Sequence, residues 1–101
     1  MRIMLACCAG MSTSLVVSKM QEAAKQQGKD YKIWAVEQGQ IEAEMGNFDV
    51  LLLGPQVRHI MRKVQKIVGD AAPIAVIDAV AYGTCNGAKV LEQAEKLVEG
   101  K

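Results

Sequence analysis

RIMLACCAGMSTSLVVSKMQEAAKQQ, residues 2–27, changes its period partway along. Arg2–Cys8 is a short, nearly continuous apolar run (Ile3, Met4, Leu5, Ala6), the pattern of a strand buried on both faces. From about Ser12 to Gln27 the period is helical. Val16, Met20, Ala23 and Ala24 recur at three- and four-residue steps, while Lys19, Glu22 and Lys25 take the other face. Gly28 follows, as glycine commonly follows a helix. A buried strand therefore turns into a helix through the short junction Gly10-Met11-Ser12-Thr13-Ser14.

The rest of the chain continues the alternation. Tyr31–Val36 reads as a strand, with Ile33, Trp34 and Val36 favouring β structure. Gly39–Asn47 is read as either a short helix or a loop. Phe48–Leu53 is the clearest strand, and Gly54-Pro55 ends it. Pro55 suits the first turn of a helix, where its missing N–H costs nothing, and Val57, Ile60, Met61, Val64 and Ile67 mark that helix's apolar stripe. Ile74–Ile77, after Pro73, is the last strand. Ala88–Val98 is the closing helix, with Leu91, Ala94 and Val98 facing inward. Strands alternating with helices predict an α/β fold: one domain over residues 1–101, with a parallel sheet and helices on both faces. Right-handed crossovers leave few topologies, and a four-stranded sheet in the order 2-1-3-4 is expected. That order reverses beside the first strand, so its C-terminal end lies where such sheets bind ligands.

Composition narrows the function classes. The chain has 101 residues, enough for one hydrophobic core. Half of it is hydrophobic but only 4% is aromatic, so the core is built from Ala, Val, Ile, Leu and Met. A net charge of +1 argues against a nucleic-acid partner. No apolar run reaches the roughly 20 residues that span a bilayer, and Met1–Ala9 lacks the flanks of a signal peptide. The three cysteines, two of them adjacent, make a poor disulfide framework. A cytoplasmic location and a monomeric state in isolation are expected, with no metal and no cofactor.

The chemistry concentrates in Cys7-Cys8-Ala9-Gly10-Met11-Ser12-Thr13-Ser14. The first N–H groups of a helix have no internal partner, and the helix dipole adds positive potential, so this junction is suited to an anion. Gly10 lets the backbone curl, and Ser12, Thr13 and Ser14 add hydroxyl donors. The same potential lowers the pKa of a thiol at the loop's start and makes Cys7 a candidate nucleophile. Taken singly, a strand-end cysteine is a small buried hydrophobe, and serine or threonine at a helix start is a cap. It is the whole string that favours a phosphocysteine intermediate, with Cys8, Ala9, Gly10, Met11, Ser12, Thr13 and Ser14 around the phosphate. A hydrolytic Cys-x5-Arg loop needs arginine six residues after the cysteine, to clamp the equatorial oxygens. Thr13 stands there, and no arginine lies in the loop. The pattern suits docking against another phosphoprotein better than hydrolysis. A phosphatase and a non-catalytic anion-binding module remain as alternatives.

Cys7–Met20 (CCAGMSTSLVVSKM), Val50–Gln56 (VLLLGPQ) and Val76–Gly83 (VIDAVAYG) resemble the IIB component of the sugar phosphotransferase system, lactose/cellobiose/chitobiose class. The resemblance covers nearly the whole chain. It implies a fold similar to low-molecular-weight tyrosine phosphatases. It also implies a protein-Nπ-phosphohistidine–sugar phosphotransferase working through phosphocysteine. The cysteine matching Cys7 takes a phosphoryl group from a phosphohistidine of the IIA component. It delivers the group to a disaccharide-class sugar held by the membrane component IIC, so the protein docks transiently at the inner membrane face. Serine is commoner in the family where this chain has Cys8. Cys7 is preferred as nucleophile because the family cysteine lies three residues before Gly10.

Gln56, Asp78 and Tyr82 fall in loops at the same sheet edge and are candidates for lining the site. Asp78 is read first as a helix cap and second as a general acid. His59, the single histidine, sits with Arg58, Arg62, Lys63 and Lys66 on a solvated polar face that would suit an acidic partner. Cys85 is read as structural, and Met11 as the loop methionine that touches a partner.

Overall fold

The computed structural model describes residues 1–7 and 10–99, and within them every side chain except those of Cys7, Met11, Ser12, Gln38, Gln56 and Arg58. Four strands, β1 (Arg2–Cys7), β2 (Lys32–Glu37), β3 (Val50–Leu53) and β4 (Ile74–Val76), form one sheet in the order β2-β1-β3-β4. All three pairings are parallel. Four α-helices accompany them: α1 (Gly10–Gln26), α2 (Met61–Val68), α3 (Ala79–Gly83) and α4 (Gly87–Glu99). The expected order holds, and the elements read from the sequence lie within about two residues of their places, apart from the corrections below.

The alternation of side chains along the central strands divides the core in two. Ile3 and Leu5 of β1, with Val50 and Leu52 of β3, pack against Val16, Met20 and Ala24 of α1 and Val90, Leu91 and Ala94 of α4. Met4 and Ala6, with Leu51 and Leu53, pack against Val57, Val64 and Val68 on the opposite face, joined by Ile41 and Phe48. Both sheet faces are thus covered, which explains why these strands read as unbroken apolar runs.

Helix ends follow local chemistry. Lys29 N–H donates to Ala24 C=O at 2.9 Å and Gly28 N–H to Lys25 C=O at 3.1 Å. Gly28 adopts φ +71°, which completes the C-terminal motif that glycine favours. At the sheet's N-terminal edge, Asp49 accepts from the Arg2 backbone N–H at 2.7 Å and from its guanidinium at 3.0 Å. Those bonds hold the Asp49 carboxyl below its ordinary range.

Three points correct the sequence reading. Gly39–Asn47 is neither a single helix nor a plain loop, because it contains short 3-10 turns at Gln38–Gln40 and Glu42–Glu44. The helix expected from Pro55 begins as 3-10 structure over Pro55–Ile60. It is interrupted at Val57 (φ −115°, ψ 18°), and α2 starts only at Met61. Residues 79–83, expected as loop, form α3. Among the described residues no helix is long and apolar enough to cross a membrane.

Lys29, Tyr31 and Glu95 tie the end of α1 and the approach to β2 onto α4. Glu95 accepts from Lys29 Nζ and from Tyr31 Oη, the latter at 2.9 Å. Lys29, then Tyr31, hold the Glu95 carboxyl below its ordinary range despite partial burial. A carboxylate with a depressed folded-state pKa contributes stability above its unfolded pKa, about 4.3 for Glu, and loses it as pH falls through the folded value. Glu95→Gln is therefore expected to be less stable than the parent at pH 6, with the difference shrinking toward pH 3. Urea midpoints measured at both pH values check this, and a difference independent of pH would count against it.

Candidate functional site

The C-terminal ends of four parallel strands define one edge of the sheet, and the segments the sequence singles out leave from it. Cys7 is the last residue of β1, in register with Glu37 of β2. Because β1 pairs with β2 on one side and β3 on the other, Cys7 stands where the strand order reverses. Cys8 and Ala9 lie outside the described residues. α1 begins at Gly10, two residues before the expected Ser12, so Gly10, Met11, Ser12 and Thr13 make up its first turn. Their backbone N–H groups are those that a helix leaves without internal carbonyl partners. The first turn carries no acidic residue, so its own side chains set no fixed negative charge against an anion.

Thr13 and Ser14 diverge. Ser14 is exposed. Thr13 is completely buried, and its Oγ1 lies 2.8 Å from Tyr82 Oη. Tyr82, half-buried, packs against the core cluster that contains α1 and α4. The structure thus joins two candidates that are 69 positions apart in the chain. Gln56 is the second residue of the 3-10 segment that leaves β3, at the same edge, with its side chain outside those described.

Asp78 has a definite structural task. Its carboxylate accepts from Ala81 N–H at 3.0 Å and so caps α3. Gln93 of α4 braces it from behind: Gln93 Oε1 accepts from Asp78 N–H at 3.1 Å and Gln93 Nε2 donates to Val76 C=O at 2.8 Å. Asp78 and Gln93 border a cleft of about 270 Å³ between α3 and α4. At the other end of α3, Asn86 N–H donates to Ala81 C=O at 2.8 Å and Cys85 N–H to Tyr82 C=O at 3.1 Å, with Cys85 at φ +52°. This is a helix-ending motif with cysteine in the left-handed position that glycine usually takes.

His59 is exposed and borders a separate groove with Lys63 and Ile67 of the other sheet face. The sequence reading did not mark Leu15 and Val80. Among the described residues these are the large apolar side chains that stay exposed, 50% and 73%, on the two helices that Thr13 and Tyr82 join. Only an amphipathic plot that already included α3 would have placed Val80 on an outer face.

The family model for the lactose/cellobiose-specific IIB subunit of the phosphotransferase system matches residues 2–93. The chain belongs to this family. It is 42% identical over 98 residues to the oligo-beta-mannoside-specific EIIB component of Bacillus subtilis, covering 96% of this chain and 95% of that one. It is 48% identical over 102 residues to the galactose-specific EIIB component of Lactococcus lactis subsp. cremoris, covering 95% and 94%. The cellobiose-specific IIB component of Borrelia burgdorferi superposes with a TM-score of 0.83 at 36% identity, over all of this chain and 94% of that one. IIB proteins named for three different sugars thus resemble this chain over nearly its whole length.

Proposed function

We propose that residues 1–101 form a single phosphoryl-carrier domain in which Cys7 is the nucleophile. Cys7 Sγ attacks the phosphorus of a IIA phosphohistidine in line. The S–P bond forms as the N–P bond breaks, and the histidine leaves with its electron pair. Backbone N–H groups between Cys8 and Ser14 hold the phosphoryl oxygens, and hydroxyls in the first turn of α1 assist. A hydroxyl of a sugar bound on IIC then attacks. The O–P bond forms as the S–P bond breaks, and Cys7 returns as thiolate. Activation of that hydroxyl belongs to IIC. This domain supplies position and electrostatics, which are the main demands of phosphoryl transfer.

One observation carries the reading. In a IIB-family chain, Cys7 ends the central strand at the switch point, and the amino end of a 17-residue helix opens three residues later. The absence of arginine between Cys7 and Ser14 favours transfer over hydrolysis. The sugar is of the disaccharide class, and its identity is set by the membrane component. The similar chains named for oligo-beta-mannoside, galactose and cellobiose fit that division of labour. The domain works in the cytoplasm and meets the membrane through IIC. The test is to incubate it with phosphoenolpyruvate, the general phosphotransferase proteins and a IIA of this class, and to record its intact mass. One added phosphoryl group is expected. None, with a IIA that labels another IIB, would overturn the reading, and steady turnover of an aryl phosphate would favour the phosphatase.

A further inference from the structure

We propose that Tyr82 is a positioning residue for phosphoryl transfer, setting the first turn of α1 through the hydroxyl of Thr13. The proposal rests on the carrier reading and adds to it a contribution from the segment after β4.

The starting point is burial. Among the described residues, Thr13 is the polar side chain in the fully buried set, at 0% exposure. A buried hydroxyl without a partner is costly, and Tyr82 Oη at 2.8 Å supplies that partner. Tyr82 comes from a helix of only five residues, too short to hold a side chain in place by itself. The surrounding structure compensates. Asp78 caps the amino end of α3, and Gln93 anchors Asp78 to α4 and to the end of β4. The carbonyls of Ala81 and Tyr82 are closed off by Asn86 and Cys85 N–H groups, which requires Cys85 at φ +52°. A non-glycine residue adopts that region only where its surroundings hold it there, so the end of α3 is held in one specific shape. The ring of Tyr82 packs on the core, leaving its hydroxyl at the first turn of α1.

Either oxygen can donate to the other. With Tyr82 donating, the Thr13 proton is released to a second acceptor, and Thr13 Oγ1 becomes a stronger donor because hydroxyls in a chain polarise one another. Thr13 occupies the sequence position, six after Cys7, where a Cys-x5-Arg loop places its arginine. Two linked neutral hydroxyls there would steady a phosphoryl group without the fixed positive charge of an arginine. That suits a carrier, which must release the group to the next acceptor.

The test uses two readouts on Tyr82→Phe, which removes one oxygen and keeps the ring. The first is the rate of phosphoryl acceptance from IIA, expected to fall about tenfold, the equivalent of one hydrogen bond. Thr13→Val should slow it similarly, the double variant should be no slower than Thr13→Val alone, and Thr13→Ser should stay within about twofold of the parent. The second readout needs no phosphoryl donor. In a Cys8→Ser background, the pH midpoint for alkylation of Cys7 by iodoacetamide should rise by about half a pH unit in Tyr82→Phe, as the first-turn N–H groups lose their alignment. An unchanged rate together with an unchanged alkylation midpoint would overturn the proposal, as would additive effects in the double variant. If wild type accepts no phosphoryl group, the carrier reading fails while the alkylation profile still decides the role of Tyr82. If Thr13→Val does not fold, Tyr82→Phe carries the decision.

Discussion

Cys7→Ser is expected to accept no phosphoryl group from IIA, whereas Cys8→Ser accepts one and carries it on a single site. The two cysteines are adjacent, and their difference is one of position. Cys7 is a strand residue paired with Glu37, at the end of one of the two central strands. Its backbone is therefore fixed by the sheet, and the helix that follows offers its unpaired N–H groups from Gly10 onward. A thiolate is stabilised by that potential, whereas a serine hydroxyl has a pKa far above any that a helix terminus could bring into range, so the Cys7→Ser oxygen stays a poor nucleophile. Loss of at least about three orders of magnitude in acceptance is expected, because the nucleophile of a covalent mechanism is removed outright. Intact mass after incubation with phosphoenolpyruvate, the general proteins and IIA reads the result, and the acid and base stability of the adduct distinguishes a thiophosphate from a histidine phosphoramidate on His59. Retention in Cys7→Ser with loss in Cys8→Ser would move the nucleophile by one residue. Retention in both would point to substitution of one thiol by its neighbour.

The parts of this molecule that were legible in sequence share a physical basis. The strand positions followed from period and punctuation: Ile3 to Ala6 and Val50 to Leu53 are buried on both faces, and Gly28, Gly54 and Pro55 mark where elements stop or start. Pro55 marked a true start, but the helical type was misread. Val57 and Ile60 are three residues apart, a spacing that 3-10 and α structure share, so the apolar stripe could not reveal the break at Val57. α3 escaped because five residues, AVAYG, hold less than two turns of period. Only Asp78, as a cap, announced it. The Thr13–Tyr82 pair depends on where α3 comes to rest on α4, and no local pattern encodes a contact across 69 positions. For the candidate site, the sequence carried the strand that ends at Cys7 and the helix that opens by Gly10, since both are local patterns. What braces them is tertiary.

Gly87→Ala is expected to destabilise the protein by about 2 kcal/mol or more, lowering Tm by roughly 10 °C, even though alanine is the better helix former. Gly87 is the buried first residue of α4. A Cβ placed on it would stand 2.3 Å from the carbonyl carbon of Lys19 and 2.5 Å from the backbone nitrogen of Met20. These are backbone atoms in the middle of α1, with no rotamer to yield, so the two helices must separate. The separation would reach Met20, Val90 and Leu91, all completely buried at this contact. It would also tug on Asn86, whose side chain accepts from Lys89 N–H at 3.2 Å to cap α4 while its own N–H closes α3. Gly83→Ala supplies the comparison. A Cβ there meets nothing within 4 Å, and the substitution lowers the entropy of the unfolded chain, so it should be neutral or stabilise by about 0.5 kcal/mol. Thermal melts of both variants decide the matter. Equal Tm values would mean that α1 and α4 can part without cost. A large loss in Gly87→Ala alone would mean that the packing of α1 on α4 rests on one residue with no side chain, and a decline in phosphoryl acceptance by the folded fraction would then show how far that packing sets the geometry of the first turn of α1.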